Sequence, residues 1–348
     1  MLKACETALW TAYDLAMLDL DGVVYIGPDA VPGAATHLAA AREAGLRLAY
    51  VTNNAGRPPA TVAEHLRSLG IPAEVTDVVT SAQAAARLVA RGIPAGSAVF
   101  VIGGEGLFVA LEEQGLRPVQ SIDEEPVAVV SGYHRDLAWG TVSDGAILVG
   151  RGLPWYASNT DWSVPTAHGL GPGNGVLVHA VERFSGRSPE VAGKPLAPLF
   201  EETVLRVGGD RPLVVGDRLD TDIEGATNSG HDSLLVLTGV TGLEELVAAL
   251  PALRPTYLAA DLRGLGHPHP APVQDGAQIR CGRATARVRD GRVEIEDDGT
   301  DPDDWWRAVV TAAWRHLDTT GAPCAVDGVS PPSSVGPSTG SPTQQEQP

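Results

Sequence analysis

DLAMLDLDG, residues 14–22, is the stretch that decides the fold. Its apolar residues predict a buried strand, which ends directly at two aspartates and a glycine. Residues 33–45 follow with Ala and Leu at helical spacing, and residues 46–54, LRLAYVTNN, supply a second apolar strand. Strand, helix and strand in this order predict a β-α-β unit in a parallel sheet.

The same alternation returns later in the chain, where residues 195–208 predict a helix and RPLVVGD, residues 211–217, a strand. Another strand follows in residues 231–239, HDSLLVLTG. Short apolar runs alternating with helices predict an α/β fold with a doubly wound parallel sheet. Residues 83–186 alternate in the same way and predict a smaller α/β domain inserted into the first one.

The pattern changes after residue 262. Residues 278–297 resemble a hairpin with an Asp290-Gly291 turn, and residues 304–319 predict a helix rich in tryptophan. From residue 321 the chain is rich in Pro, Ser, Thr, Gly and Gln and lacks Lys and Arg, a composition typical of disorder. The predicted division is a core in two parts (1–82 and 187–262), an inserted cap (83–186), a C-terminal α+β appendix (263–320) and a disordered tail (321–348).

The charge of the chain excludes several partners. Its 348 residues include 43 acidic and 25 basic side chains, a net charge of −18, which repels nucleic acid and anionic membranes. The N-terminus lacks the apolar stretch of a signal peptide. Three scattered cysteines, Cys5, Cys281 and Cys324, indicate neither a disulfide framework nor a zinc cluster. We expect a cytoplasmic protein that takes a small molecule and binds neither nucleic acid nor a membrane, and the sequence leaves open whether it forms a homo-oligomer.

Asp19 and Asp21 stand at the carboxyl end of the first strand, where open α/β sheets place their ligands. Side chains alternate along an extended chain, so both carboxylates point to the same side. A solvated acidic turn is the simplest alternative interpretation. A calcium loop of the EF-hand type is not indicated, because Val24 stands where that loop needs glycine and Ala30 where it needs glutamate.

Two further groups follow strands. Thr52, Asn53 and Asn54 offer a hydroxyl, side-chain amides and backbone N–H groups that suit a phosphate, although a loop or helix cap is equally compatible. Lys194, between a glycine and a proline before a helix, offers a cation, although a surface lysine is the simpler interpretation. The surrounding residues do not form a P-loop.

Residues 213–222, LVVGDRLDTD, are the stretch that indicates a cation site most specifically. It places Asp217 at a strand end and Asp222 at the start of a helix, whereas Asp220 and Glu224 are expected to be solvated. Hard oxygen ligands such as Asp19 and Asp217 are what Mg²⁺ prefers. All four elements stand at strand ends of one predicted sheet, so we expect Asp19, Asp217 and Lys194 to meet within one coordination shell.

At this point the sequence resembles a known family. DLDGVVYIG, VTNN, GKP and GDRLDTD are similar to the four motifs of the haloacid dehalogenase (HAD) superfamily, in the phosphatase branch with a large α/β cap of the C2 type. Within that branch the chain is similar to glycerol-phosphate and phosphoglycolate phosphatases. The resemblance covers residues 14–262 and does not extend to the appendix.

The resemblance implies a mechanism. Asp19 attacks phosphorus and forms an aspartyl-phosphate, Asp21 protonates the leaving alkoxide and then deprotonates water, and Lys194 neutralises charge. Thr52, Asn53 and Asn54 bind the phosphoryl group. Mg²⁺ is held by Asp19, the Asp21 carbonyl and Asp217, with Asp222 close by. The catalytic residues are then Asp19, Asp21 and Lys194, and the metal residues are Asp19, Asp21, Asp217 and Asp222.

Substrate choice is assigned by the resemblance to the cap. The expected contacts are Tyr133, Arg135, Asp136, Asn159 and Asp161. A cap over the site favours small phosphate esters. The resemblance places glycerol 3-phosphate ahead of 2-phosphoglycolate, with sugar phosphates, nucleotides and pyridoxal phosphate as further alternatives. A binding or regulatory protein without turnover is the alternative from a different class.

The purpose of the appendix is left between two interpretations. The helix in residues 304–319 carries Trp305, Trp306 and Trp314 at helical spacing. These side chains pack against the core or form a surface for a partner, and core packing is favoured.

Overall fold

The computed structural model describes residues 1–166 and 168–332. The first part of the chain builds half of a parallel sheet and its covering helices. These are α1 (Leu9–Ala12), β1 (Leu15–Leu18), β2 (Tyr25–Ile26), β3 (Asp29–Ala30), α2 (Ala34–Glu43), β4 (Arg47–Thr52), α3 (Pro59–Ser68), β5 (Val78–Thr80) and α4 (Ser81–Gly92).

The inserted segment builds a second sheet. Its elements are β6 (Ala98–Ile102), α5 (Glu105–Glu113), β7 (Arg117–Val119), β8 (Ala128–Ser131), α6 (Trp139–Gly150), β9 (Trp155–Ala157), β10 (Ser163–Thr166), β11 (Gly169–Pro172), α7 (Asn174–Ser185) and β12 (Glu190–Val191). Strands β10 and β11 form a separate antiparallel hairpin, and the others pair in parallel in the order β12-β9-β8-β6-β7.

The chain then returns to the first sheet and ends in a third. The returning elements are α8 (Pro198–Val207), β13 (Pro212–Gly216), α9 (Glu224–Ser229), β14 (Asp232–Val236), α10 (Leu243–Val247) and β15 (Tyr257–Ala259). The last elements are β16 (Val273–Asp275), β17 (Gln278–Cys281), β18 (Ala284–Arg289), β19 (Arg292–Asp297) and α11 (Pro302–Thr320).

The first sheet has the order β15-β14-β13-β1-β4-β5, and all its pairings are parallel. Strand β1 lies between β13 and β4, with Leu15 opposite Pro212 on one side and Arg47 on the other. All four β1 residues are buried, as a strand covered by helices on both faces requires. The α/β fold with a doubly wound parallel sheet is confirmed.

The predicted domain limits stay predictions, with one detail to add. Strand β12 lies beyond the predicted boundary at residue 186, yet it pairs with β9 of the second sheet. The chain therefore leaves the second sheet only just before Lys194.

The appendix is a four-stranded antiparallel sheet covered by α11. Trp305 and Trp314 of this helix are fully buried and Trp306 is 8% exposed. The Trp314 indole N–H donates to the Leu246 carbonyl at 2.7 Å, so the helix also contacts the first domain. The tryptophans therefore pack within the chain and do not form an exposed partner surface.

The disordered tail does not begin at residue 321. Ala325 exchanges backbone hydrogen bonds with Gly291 and Val293 at 2.8 and 3.0 Å, and its neighbours Cys324 and Val326 are buried. Burial of the Cys324 and Val326 side chains and pairing with the open edge of β19 hold this segment in place, although its composition is typical of disorder. The rest of the predicted tail, residues 333–348, lies outside the described residues.

None of the helices in the described ranges has the length and apolar character that crossing a bilayer requires.

Candidate active site

The site lies at the carboxyl ends of the three central strands of the first sheet. Asp19 follows β1, Asn53 follows β4 and Asp217 follows β13. The chain passes from β1 to β4 on one side and reaches β13 on the other, so the strand order reverses beside β1. Open α/β sheets form their ligand crevice at such a reversal.

Lys194 joins two of the carboxylates. Its Nζ lies 2.6 Å from Asp19 Oδ1 and 2.6 Å from Asp222 Oδ1. The side chains of Lys194 and Asp222 are only 4% and 1% exposed. The two carboxylates raise the pKa of the Lys194 ammonium against the opposing effect of burial, so the lysine is a fixed positive charge.

Asp217 completes a cluster of carboxylates. One ligand oxygen from each of Asp19, Asp217 and Asp222 can be chosen so that all three lie within 4.8 Å of one another. Asp217 Oδ2 accepts a hydrogen bond from the Val240 N–H at 2.7 Å. Its Oδ1 is buried and has no hydrogen-bond partner in the described part of the chain. A buried carboxylate oxygen without a donor, among other carboxylates, suits a hard divalent cation.

Burial and mutual repulsion shift the acidic groups. Burial first, then the charges of Asp19 and Asp222, raise the pKa of Asp217 to about 7. Burial raises the pKa of Asp222 to about 6, although Lys194 opposes this. Desolvation also raises the pKa of Asp21, opposed by the nearby cations Arg57 and Lys194. A carboxyl group with a raised pKa is able to hold and release a proton near neutral pH.

Local backbone geometry brings these groups together. Gly22 has φ +85°, and a Cβ at this position would lie 2.4 Å from Asp217 Oδ2. Asp222 lies in a π-helical turn, Leu219–Ile223, and its Oδ2 accepts the Arg218 N–H at 3.1 Å. Only glycine allows β1 and β13 to present their carboxylates this closely.

A cleft of about 650 Å³ opens above this cluster, between the first sheet and the inserted domain. Of the predicted substrate contacts, those lining it are Asn53, Asn54, Tyr133, Asn159 and Asp161, together with Asp19, Asp21 and Lys194. Thr52 is buried beneath it, where its Oγ1 accepts the Asn54 N–H at 3.1 Å and shapes the turn.

Arg135 and Asp136 were expected at the cleft and do not line it. Both are exposed, and Asp136 lines a different hollow of about 450 Å³. The loop after β8 meets the first domain at Tyr133, whose carbonyl lies 3.2 Å from the Cβ position of Gly56. The next residues turn away to the surface, and sequence spacing does not reveal that turn.

Sequence reasoning missed other residues of the cleft. Arg218 and Asp220 line it as a bidentate ion pair, with N–O distances of 3.0 and 2.7 Å, although Asp220 was expected to be only a solvated helix residue. Trp162 lines it with 66% of its surface exposed. Arg218 and Trp162 adjoin residues already selected, Asp217 and Asp161, and that adjacency was the available signal.

Comparison with known proteins agrees with this geometry. A family model described as haloacid dehalogenase-like hydrolase matches residues 16–117, and a second, described as HAD-hydrolase-like, matches residues 191–265. The chain is 42% identical over 311 residues to D-glycerol 3-phosphate phosphatase of Mycobacterium tuberculosis, covering 87% of this chain and 86% of that protein. It is 36% identical over 252 residues to the acid sugar phosphatase of Staphylococcus aureus, covering 72% and 95%.

The chain is also similar in structure to solved phosphatases. A crystal structure of glycerol phosphate phosphatase from Mycobacterium tuberculosis in complex with magnesium superposes with a TM-score of 0.82 at 38% identity, covering 92% of this chain and 94% of that one. The p-nitrophenyl phosphatase of Archaeoglobus fulgidus superposes with a TM-score of 0.67 at 30% identity, covering 73% and 98%.

Proposed function

The chain belongs to the haloacid dehalogenase-like hydrolases and is a phosphatase, and from this premise we propose that it hydrolyses glycerol 3-phosphate to glycerol and phosphate. The observation that carries the chemistry is the contact of Lys194 Nζ with Asp19 and Asp222, beside Asp217 Oδ1, which accepts no hydrogen bond from the residues that the structure describes. The substrate is supported by the identity to the mycobacterial glycerol 3-phosphate phosphatase.

Asp19 is the nucleophile. Its carboxylate oxygen forms a bond to phosphorus as the bond from phosphorus to the glycerol oxygen breaks, which leaves an aspartyl-phosphate. Asp21 gives its proton to the departing alkoxide. It then removes a proton from the water that attacks the aspartyl-phosphate, and this releases phosphate and regenerates Asp19. The raised pKa of Asp21 suits this alternation.

Lys194 and the cluster of acids balance the charge. The ammonium group holds Asp19 in place and neutralises the negative charge that builds up on the phosphoryl oxygens. Asp19, the Asp21 carbonyl and Asp217 would hold Mg²⁺, with Asp222 close by. When bound, the ion supplies positive charge that lets an anionic nucleophile approach an anionic ester.

The cleft favours a small ester. Its volume of about 650 Å³ accommodates a short polyol phosphate, and the inserted domain covers it and limits access of water. A sugar phosphate is the second candidate, because the acid sugar phosphatase is 36% identical.

Cys5, Cys281 and Cys324 are free thiols, which supports our placement of the enzyme in the reducing cytoplasm.

The test is phosphate release from a panel of small esters with Mg²⁺ present. We expect glycerol 3-phosphate to give a higher kcat/KM than 2-phosphoglycolate, sugar phosphates, nucleotides or pyridoxal phosphate. Asp19→Asn should abolish release. Asp290→Asn, the same chemical change at a 97% exposed side chain in a distant turn, should not alter it. Binding of the ester without any turnover would favour a regulatory protein and contradict the proposal.

A further inference from the structure

Asn53 connects the two domains through its side-chain amide. Its Oδ1 accepts a hydrogen bond from the Lys194 backbone N–H at 2.8 Å. Its Nδ2 donates to the Lys194 carbonyl at 3.1 Å and to Asp161 Oδ1 at 3.0 Å. Asn53 and Lys194 both belong to the first domain, and the Asn53 side chain holds the main chain of Lys194 by these hydrogen bonds. The same side chain contacts the carboxylate of Asp161 in the inserted domain.

Asp161 and the Lys194 main chain together fix which way this amide points. The oxygen and nitrogen of an amide group have nearly the same shape, so its partners determine its orientation. A carboxylate oxygen accepts and does not donate, and the nitrogen of Asn53 must therefore face Asp161. With the nitrogen fixed there, Oδ1 faces the Lys194 N–H, as the hydrogen bond requires.

Asp161 is itself held firmly. Its backbone N–H donates to Asn159 Oδ1 at 3.1 Å, and Asn159 Nδ2 donates to the Asn53 carbonyl at 2.6 Å. The Gly175 N–H donates to the Asp161 carbonyl at 2.8 Å. The carboxylate therefore lies at a fixed place relative to Asn53.

A change in the hydrogen bonds between the Asn53 amide and the Lys194 main chain alters the position of the reacting atoms. Lys194 is buried and packed, and a Cβ on the preceding Gly193 would lie 2.6 Å from Asn53 Oδ1. Because Nζ lies between Asp19 and Asp222, a shift of the Lys194 main chain alters the contact of Nζ with Asp19. Misplacement of a catalytic group by about 1 Å can lower turnover about a hundredfold.

We propose that Asp161 is a positioning residue of the inserted domain, which anchors the Asn53 amide and through it places Lys194 against Asp19. This inference rests on the proposed function of Lys194. It gives the inserted domain a part in the phosphoryl-transfer step itself, in addition to its role in substrate choice.

The test compares two substitutions at one position. Asp161→Ala removes the acceptor, whereas Asp161→Asn keeps an acceptor oxygen without the charge. We expect Asp161→Ala to lower kcat about tenfold or more and Asp161→Asn to restore most of that loss. Asp123→Ala removes an exposed acid elsewhere in the inserted domain and controls for the loss of charge. Thermal melts of every variant control for unfolding.

Each variant is assayed with glycerol 3-phosphate and with p-nitrophenyl phosphate. An effect through Lys194 acts on the phosphoryl group that both esters share, so kcat should fall by a similar factor for both. A change confined to the KM of one ester would make Asp161 a direct substrate contact and overturn the proposal. So would equal kcat losses in Asp161→Ala and Asp161→Asn.

A second substitution tests the direction of the hydrogen bond. Asn53→Asp places an acceptor against the Asp161 carboxylate and should lower kcat at least tenfold. The double variant Asn53→Asp/Asp161→Asn reverses donor and acceptor and should recover part of that loss. A double variant no better than Asn53→Asp contradicts the proposal. Failure of the proposed function is recognised separately, because the unsubstituted protein would then release no phosphate from glycerol 3-phosphate, whatever it does with p-nitrophenyl phosphate.

Discussion

Replacing Asp217 with asparagine should make the metal-free protein more stable while destroying its activity. Burial and neighbouring charge raise the pKa of Asp217 from 3.8 to about 7. At about 1.4 kcal/mol for each pKa unit, the ionised carboxylate destabilises the folded protein by about 4 kcal/mol. The amide of Asp217→Asn buries a nitrogen where no partner is provided, which offsets about 1 kcal/mol. The expected net gain is about 3 kcal/mol at pH 8.

The sign of the pH dependence follows from the direction of the shift. Below pH 4 Asp217 is largely protonated in both the folded and the unfolded protein, and only the cost of about 1 kcal/mol for the buried amide nitrogen remains. Between pH 4 and about 7 only the unfolded protein releases the proton, so the original protein loses stability as the pH rises. Above about pH 7 the difference between the two proteins is constant.

The assay is unfolding in EDTA across pH 4 to 8, for the original protein, Asp217→Asn and the exposed control Asp290→Asn. We expect Asp217→Asn to melt higher than the original protein at pH 8 and slightly lower than it near pH 4. Added Mg²⁺ should stabilise the original protein and have little effect on Asp217→Asn. A variant that is no more stable at pH 8, or equally stabilised at every pH, would refute the reasoning.

Three further substitutions test separate parts of the structure. Lys194→Met removes the charge that touches both Asp19 and Asp222, and phosphate-release assays should show a loss in kcat of about a thousandfold or more. Gly22→Ala places a methyl group 2.4 Å from Asp217 Oδ2 at φ +85°, and it should lower kcat at least tenfold and also lower the melting temperature. Trp314→Ala leaves a cavity and removes one hydrogen bond to the Leu246 carbonyl, and denaturant titration should show a loss of about 3–5 kcal/mol with KM unchanged.

The parts of the site that were predictable from sequence are those fixed by local chain geometry. Asp19 and Asp217 each follow an apolar strand directly, and parallel neighbours end at the same edge of a sheet. The strand assignments and the resemblance to the HAD motifs were therefore sufficient to predict that Asp19 and Asp217 lie close to Lys194. The α/β class followed from the same alternation of strands and helices.

The parts that were not predictable depend on contacts between distant segments. Arg135 follows Tyr133 by two residues, yet only Tyr133 reaches the cleft, because the loop turns outward after its contact with the first domain. Ala325 lies in a segment whose composition is typical of disorder. It is held by hydrogen bonds to the edge of the appendix sheet, and the sequence around Ala325 gives no sign of that sheet. The bond between Asn53 and Asp161 joins two domains and has no local signature.

The most direct test of the account is to trap the covalent intermediate. The enzyme is mixed with excess glycerol 3-phosphate and Mg²⁺, quenched in acid within milliseconds and reduced with borohydride, which converts an acyl phosphate of aspartate to homoserine. Peptide mass spectrometry then locates the change. We predict homoserine at position 19 in the original protein and none in Asp19→Asn. Continued phosphate release by folded Asp19→Asn, with position 19 unmodified in the original protein during turnover, would contradict the account.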